Sequence, residues 1–184
     1  MDSRIQEKQP VDGTVCPAFC ARLRSLHPMN RIFRLYVEGR ETIYGIQVGS
    51  MNMFVSAMRT QGAVGGAISV IAESREREAW EATSRQCDQA RPAQLLTKGK
   101  ANFRIAIQHI TQCEINPMSV WLTQLWGFHT GRMCITMRDG RRFHFCFYDY
   151  AEMGQAVKLF SDVLGAKLRL NVQWDERRQR YIRA

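Results

Sequence analysis

The sequence predicts an α+β fold, mainly antiparallel β, on three observations. Met133, Ile135 and Met137 alternate with Cys134 and Thr136, and beyond Asp139-Gly140 the residues Phe143, Phe145 and Phe147 alternate with Arg142, His144 and Cys146. Period-two alternation marks a half-buried strand, and Asp-Gly tolerates the positive φ of a tight hairpin turn. Nearer the start, Phe33, Leu35 and Val37 alternate with Arg34 and Tyr36, and after Glu38-Gly39-Arg40 the run from Thr42 to Val48 is rich in β-branched and aromatic residues. This reads as another hairpin. Third, Asp149 offers an N-cap, and Glu152 three residues on completes a capping box. Met153, Val157, Phe160 and Leu164 then fall on one helical face, and Gly165 suits the residue after the last turn.

The remaining elements follow in order. Residues 1–30 read as an irregular N-terminal segment: Gly13, Pro17 and Pro28 interrupt any long element, and Ala18 to Leu26 suits a short helix. Residues 31–184 read as a single domain with a helical and glycine-rich insert at about 49–101. Within the insert, Gly62 to Ala72 is apolar, with Gly62 and Gly66 in a GxxxG spacing. A bilayer span needs roughly 20 apolar residues, so this run reads as a glycine-rich loop before a buried strand or helical turn. Glu73 to Arg91 is heavily charged around Ala79, Trp80 and Ala82; Glu73 with Arg77 and Glu81 with Arg85 stand at i,i+4, acid first. That predicts a solvated helix with a narrow buried edge, or a mobile insert. Pro92 can open a short helix through Leu95 and Leu96. Phe103, Ile105 and Ile107 alternate, Ile110 to Ile115 continues extended, and a late strand runs from Leu168 to Trp174 with Tyr181-Ile182 as its partner. The expected core is Phe143, Phe145, Phe147, Leu35, Ile105 and Ile135, packed under the helix that bears Val157 and Phe160.

At 184 residues, with 45% hydrophobic and 23% charged side chains, the chain is long enough for one domain with a real core. The formal net charge of +9 favours an acidic partner without choosing among nucleic acid, anionic lipid and acidic protein. Met1 to Pro10 is polar and lacks a signal-peptide core, which points away from secretion. The cysteines at 113, 134 and 146 lie in strand patterns, where the residue serves as a small apolar filler. Reduced thiols in a cytoplasmic protein are the expectation.

Hairpin, hairpin and capped helix in a small basic chain resemble the pleckstrin-homology superfold, a bent antiparallel sheet or small barrel closed by a C-terminal amphipathic helix. The residues carrying the likeness are Asn102-Phe103-Arg104-Ile105-Ala106-Ile107-Gln108-His109-Ile110, then Arg132 to Phe147, then Asp149 to Gly165. Their order resembles bacterial pleckstrin-homology-like modules. It is also similar to uncharacterised bacterial proteins that join an N-terminal hairpin to a glycine-rich segment and a charged insert before such a core. The resemblance implies a binding module, and many unrelated functions sit on that fold.

Candidate chemistry is sparse. Cys16 and Cys20 with His27 nearby supply one half of a zinc-like pattern, and no second ligand pair follows at the usual distance. His109, His129 and His144 stand in no catalytic signature, and His144 alternates away from the phenylalanines. Gly62 to Gly66 does not end in the Lys-Ser/Thr of a phosphate cradle. No catalytic residue, metal or cofactor is therefore assigned.

The basic residues gather in two places: Arg138, Arg141 and Arg142 at the hairpin tip, and Arg177, Arg178, Arg180 and Arg183 near the end, with Lys167 and Arg169 before them. A cationic hairpin tip is where modules of the resembled fold meet phosphorylated headgroups or acidic membrane, and arginine forks suit phosphate. The leading expectation is a non-enzymatic binding module for a protein or an anionic membrane surface, with Arg138, Arg141 and Arg142 in contact. It would be cytoplasmic, with peripheral membrane contact or homo-oligomerisation compatible. The alternative is nucleic-acid binding through Arg177, Arg178, Arg180 and Arg183.

Overall fold

The computed structural model describes residues 16–23, 29–52, 62–118 and 129–184. Strands β1 (Ala18–Leu23), β2 (Met29–Glu38) and β3 (Thr42–Asn52) precede helix α1 (Gly62–Cys87) and the short α2 (Pro92–Leu95). Then come β4 (Phe103–Ala106), β5 (Ile110–Pro117), β6 (Gly131–Met137), β7 (Arg142–Phe147) and helix α3 (Tyr150–Leu164). After α3 follow β8 (Leu168–Leu170), β9 (Val172–Asp175) and β10 (Arg180–Arg183).

Both expected hairpins form, with β2 pairing β3 and β6 pairing β7. They belong to one eight-stranded sheet in the order β4-β3-β2-β1-β7-β6-β5-β8, antiparallel except for the β5–β8 pair. The sheet is open, which corrects the small-barrel alternative. Its edge strands are four and three residues long, so little unpaired backbone remains for closure to satisfy.

Residues 18–23 are the main departure from the sequence reading. They form β1, where an irregular segment with a short helix was expected. β1 pairs β2 along its whole length, from Ala18 opposite Tyr36 to Leu23 opposite Arg31, and pairs β7 at Arg22 and Leu23. Alanine, leucine and arginine favour helix locally, but ladders on two sides override a propensity worth only tenths of a kcal/mol per residue. The late strand also differs: it breaks at Asn171 into β8 beside β5 and β9 paired with β10, with Tyr181 opposite Trp174.

Alternation in the strands produces two unlike faces. Inward go Phe19, Phe33, Leu35, Ile43, Ile105, Ile115, Met133, Ile135, Phe145 and Phe147, all in one buried cluster. Helix α3 lies on this face through Met153, Ala156, Phe160 and Leu164, with Val157 packed at the margin. Phe160 meets Phe19 edge-on, ring centroids 5.5 Å apart. Phe143 is only partly buried and stacks at 5.4 Å on Phe103. The helix begins as expected, Asp149 accepting from the Glu152 N–H at 2.9 Å, and ends at Gly165 with φ +51°.

The outer face is half covered. Gly62 to Cys87 is one helix rather than a glycine-rich loop, and none among the described residues is long and apolar enough to cross a membrane. Trp80 of α1 packs with Cys20, Ile32 and Val48, while Leu95 of α2 packs with Tyr36, Tyr44 and Ile46. A Cβ at Gly49 would stand 2.8 Å from that of Trp80, so only glycine lets α1 approach β3 this closely. Polar contacts hold the helix there. Asp88 accepts from Arg34 Nη2 at 3.0 Å and from the Tyr36 hydroxyl at 2.7 Å, and burial together with that bond raises the Tyr36 pKa. Arg77 pairs with Glu81 and reaches Asp149 at 2.9 Å. This joins helix to cap, where the sequence suggested Glu81 with Arg85.

Replacing Phe145, which is fully buried, by alanine is expected to cost about 3–5 kcal/mol in a denaturant melt. A loss of a few tenths would show that the ring lies outside the core.

Candidate functional site

Because α1 and α2 cover β1 to β3, the polar face of β5, β6 and β7 is left open among the described residues. Its side chains follow from register. Arg132 lies opposite Cys146, Cys134 opposite His144, and Thr136 opposite Arg142, while Asn116 and Glu114 of β5 stand beside Arg132 and Cys134. Of these, all but Thr136 line a cavity of about 280 Å³ together with buried His129.

The structure does not bring the three tip arginines together. Asp139 accepts from the Arg141 backbone at 3.0 Å and from its guanidinium at 2.7 Å. These bonds, backbone first, lower the Asp139 pKa and tie Arg141 to the turn. Gly140 has φ +83°, as the turn requires. Arg138 is exposed, and its N–H donates to the His109 carbonyl at 2.9 Å. Arg142 is exposed but turns onto the sheet face and lines the cavity.

The C-terminal arginines divide as well. Arg178 lies 3.7 Å from Asp175, and Arg177 sits in the β9–β10 turn. Arg180 and Arg183 line a groove of about 500 Å³ with Arg132, Asn116, Tyr150 and Tyr181. Among the described residues Arg132, Arg138, Arg142, Arg180 and Arg183 stand in no ion pair, unlike Arg34, Arg77, Arg141 and Arg178. Sequence reasoning missed Arg132, which borders both hollows. Only the β5–β6–β7 register puts it beside Asn116 and opposite Cys146, and it shares the cavity with Arg142.

Burial raises the Cys134 pKa, against the effect of Thr136 and Arg142, so the thiol keeps its proton at neutral pH. Glu114 accepts from Gln112 at 2.7 Å. His109 is exposed and outside the cavity, whereas His129 and His144 both line it. Cys20, half of the zinc-like pair, is buried against the Ser84 hydroxyl at 3.5 Å, and burial pushes its pKa up to about 11. His27 lies outside the described residues.

Glu152 has a role that local sequence does not reveal. Its carboxylate does not return to the helix cap; it accepts from the Cys20 N–H at 2.6 Å. β7 pairs β1 only at Arg22 and Leu23, so this N–H lies beyond the ladder and the carboxylate takes it. Burial raises the Glu152 pKa in spite of that bond. The folded chain then holds the proton more tightly than the unfolded chain, so stability falls as pH rises from the ordinary glutamate range through the folded value. Glu152→Gln keeps an acceptor for Cys20 and removes the charge. Melts across the weakly acidic range should show the wild-type decline flattened in this variant; parallel curves would contradict the assignment. No family model, no curated protein and no solved structure matches this chain.

Proposed function

We propose that this chain is a non-enzymatic binding module that recognises an anionic surface, membrane headgroups or an acidic protein, through the end of the β6–β7 hairpin. One observation carries the reading. Arg138 and Arg142 are exposed and without a carboxylate partner among the described residues, on a hairpin whose Phe145 and Phe147 are fixed in the core. A rigid base presenting unpaired guanidiniums loses little conformational freedom on binding, and the guanidinium fork matches phosphate oxygens. Arg141, neutralised by Asp139, takes a lesser part.

The core is read as pleckstrin-homology-like. Consecutive antiparallel hairpins and a helix over the inner face support that kinship, while the wide open sheet and the α1 cover set this chain apart. The proposed site is the one such a plan leaves free, the uncovered end of the second hairpin.

Flotation with vesicles tests the membrane form. Vesicles containing anionic lipid should carry the protein upward and neutral vesicles should not. Arg138→Gln with Arg142→Gln should weaken partitioning by about 2 kcal/mol, roughly 30-fold. Equal partitioning into neutral and anionic vesicles removes the membrane form. Equal partitioning of wild type and double variant removes the tip.

A further inference from the structure

The groove between the ends of β5 and β6 and the β9–β10 hairpin is separate from the hairpin tip, and its chemistry is different. Arg132, Arg180 and Arg183 line it, all three exposed and none in an ion pair among the described residues. Among the described residues no carboxylate lines it, and Asn116 is its one amide side chain. Its walls are aromatic and apolar: Tyr150, Tyr181, Ile182, Met118 and Pro117. Tyr181 packs edge-on against Trp174 with centroids 5.0 Å apart, and Trp174 is 38% exposed. Tyr150 closes the cluster at 6.4 Å from Trp174 and 6.5 Å from Tyr181. The three rings brace one another beside the arginines.

Guanidiniums without counter-charge, set beside fixed rings in an open trough, match a ligand that repeats anionic and flat apolar parts. A lone phosphate uses the arginines and not the rings. A lipid headgroup offers no planar face. A nucleotide offers both, and an open groove bordered by three separate cations fits a chain of them better than a single unit. We propose that this groove binds single-stranded nucleic acid, Arg132, Arg180 and Arg183 taking successive phosphates and Tyr150 and Tyr181, braced by Trp174, taking base faces. The site gathers residues of β5, β6, α3 and β10. The C-terminal arginines alone do not make it: Arg178 belongs to Asp175, and Arg132 comes from the middle of the chain.

Fluorescence anisotropy with a labelled oligothymidylate about ten nucleotides long tests the inference in the full chain. Each phosphate neutralised contributes about 0.7 to the slope of log affinity against log salt. The triple variant Arg132→Gln, Arg180→Gln, Arg183→Gln should therefore lower that slope by about 2 and weaken binding about 10-fold or more at low salt. The control Arg75→Gln, Arg85→Gln, Arg91→Gln removes the same charge from exposed positions on the α1 and α2 side and should change the slope little. Equal losses in the two triples would show that net charge binds the probe, and the groove falls. Thymidine monophosphate competing as well as the oligonucleotide would reduce the site to a single nucleotide and overturn the strand. Inorganic polyphosphate of matched charge competing as well would overturn the role of the rings. Absence of oligonucleotide binding with anionic-vesicle binding intact overturns this inference and leaves the hairpin tip standing; the reverse result supports this inference and removes the membrane form of the tip reading.

Discussion

The pairing of β1 on both sides is the constraint on which the rest of the structure depends. Without it the molecule would be two separate hairpin systems, β2–β3–β4 and β5–β6–β7, each with an exposed edge. With it, one sheet spans both, and its inner face carries a continuous core from Ile43 through Phe19 to Ile135 under α3. Phe19 sits at the join, meeting Phe147 on the neighbouring strand at 6.1 Å and Phe160 of the helix. Where β7 ends, the Glu152 carboxylate takes the Cys20 N–H. A buried N–H left alone would cost about 1–3 kcal/mol, so this bond ties the start of α3 to the middle of the sheet.

That same join divides the outer face. β1, β2 and β3 present Cys20, Ile32, Tyr36 and Ile46, apolar enough to hold α1 and α2. β5, β6 and β7 present Glu114, Arg132, Cys134, Arg142 and His144, which stay in water or line a hollow. On the covered half Arg34 is fixed on Asp88, and Arg77 on Asp149 and Glu81. On the open half Arg132 and Arg142 stand in no ion pair among the described residues. Net charge alone could not make this distinction: a basic residue tied to a neighbour is part of the scaffold, and one without a neighbour is available to a ligand.

Elements specified by near neighbours were legible in the sequence. Asp139-Gly140 and the flanking alternation give the β6–β7 hairpin, and Asp149 with the Met153–Phe160–Leu164 spacing gives α3. Elements decided by distant partners were not. β1 looks like a short helix until its ladders to β2 and β7 are known, and Glu152 looks like half of a capping box although its partner stands 132 residues away. The candidate site shows the same limit. Arg138 and Arg142 could be placed at the tip from the turn, but Arg141's capture by Asp139, and Arg132's position between two hollows, depend on local geometry and register that composition does not encode. The cluster of four C-terminal arginines divides for a similar reason, since the β9–β10 turn gives Arg178 to Asp175 and the strand carries Arg180 and Arg183 to the groove.

Residue-resolved native-state hydrogen exchange over Phe19 to Leu23 tests the central constraint most directly. A strand paired on both sides opens only with the whole domain. The account therefore predicts that hydrogen-bonded β1 amides, Cys20 among them, exchange as slowly as those of β2 and β7. Exchange of the β1 amides at the rate of exposed turns, with β2 and β7 still protected, would contradict it.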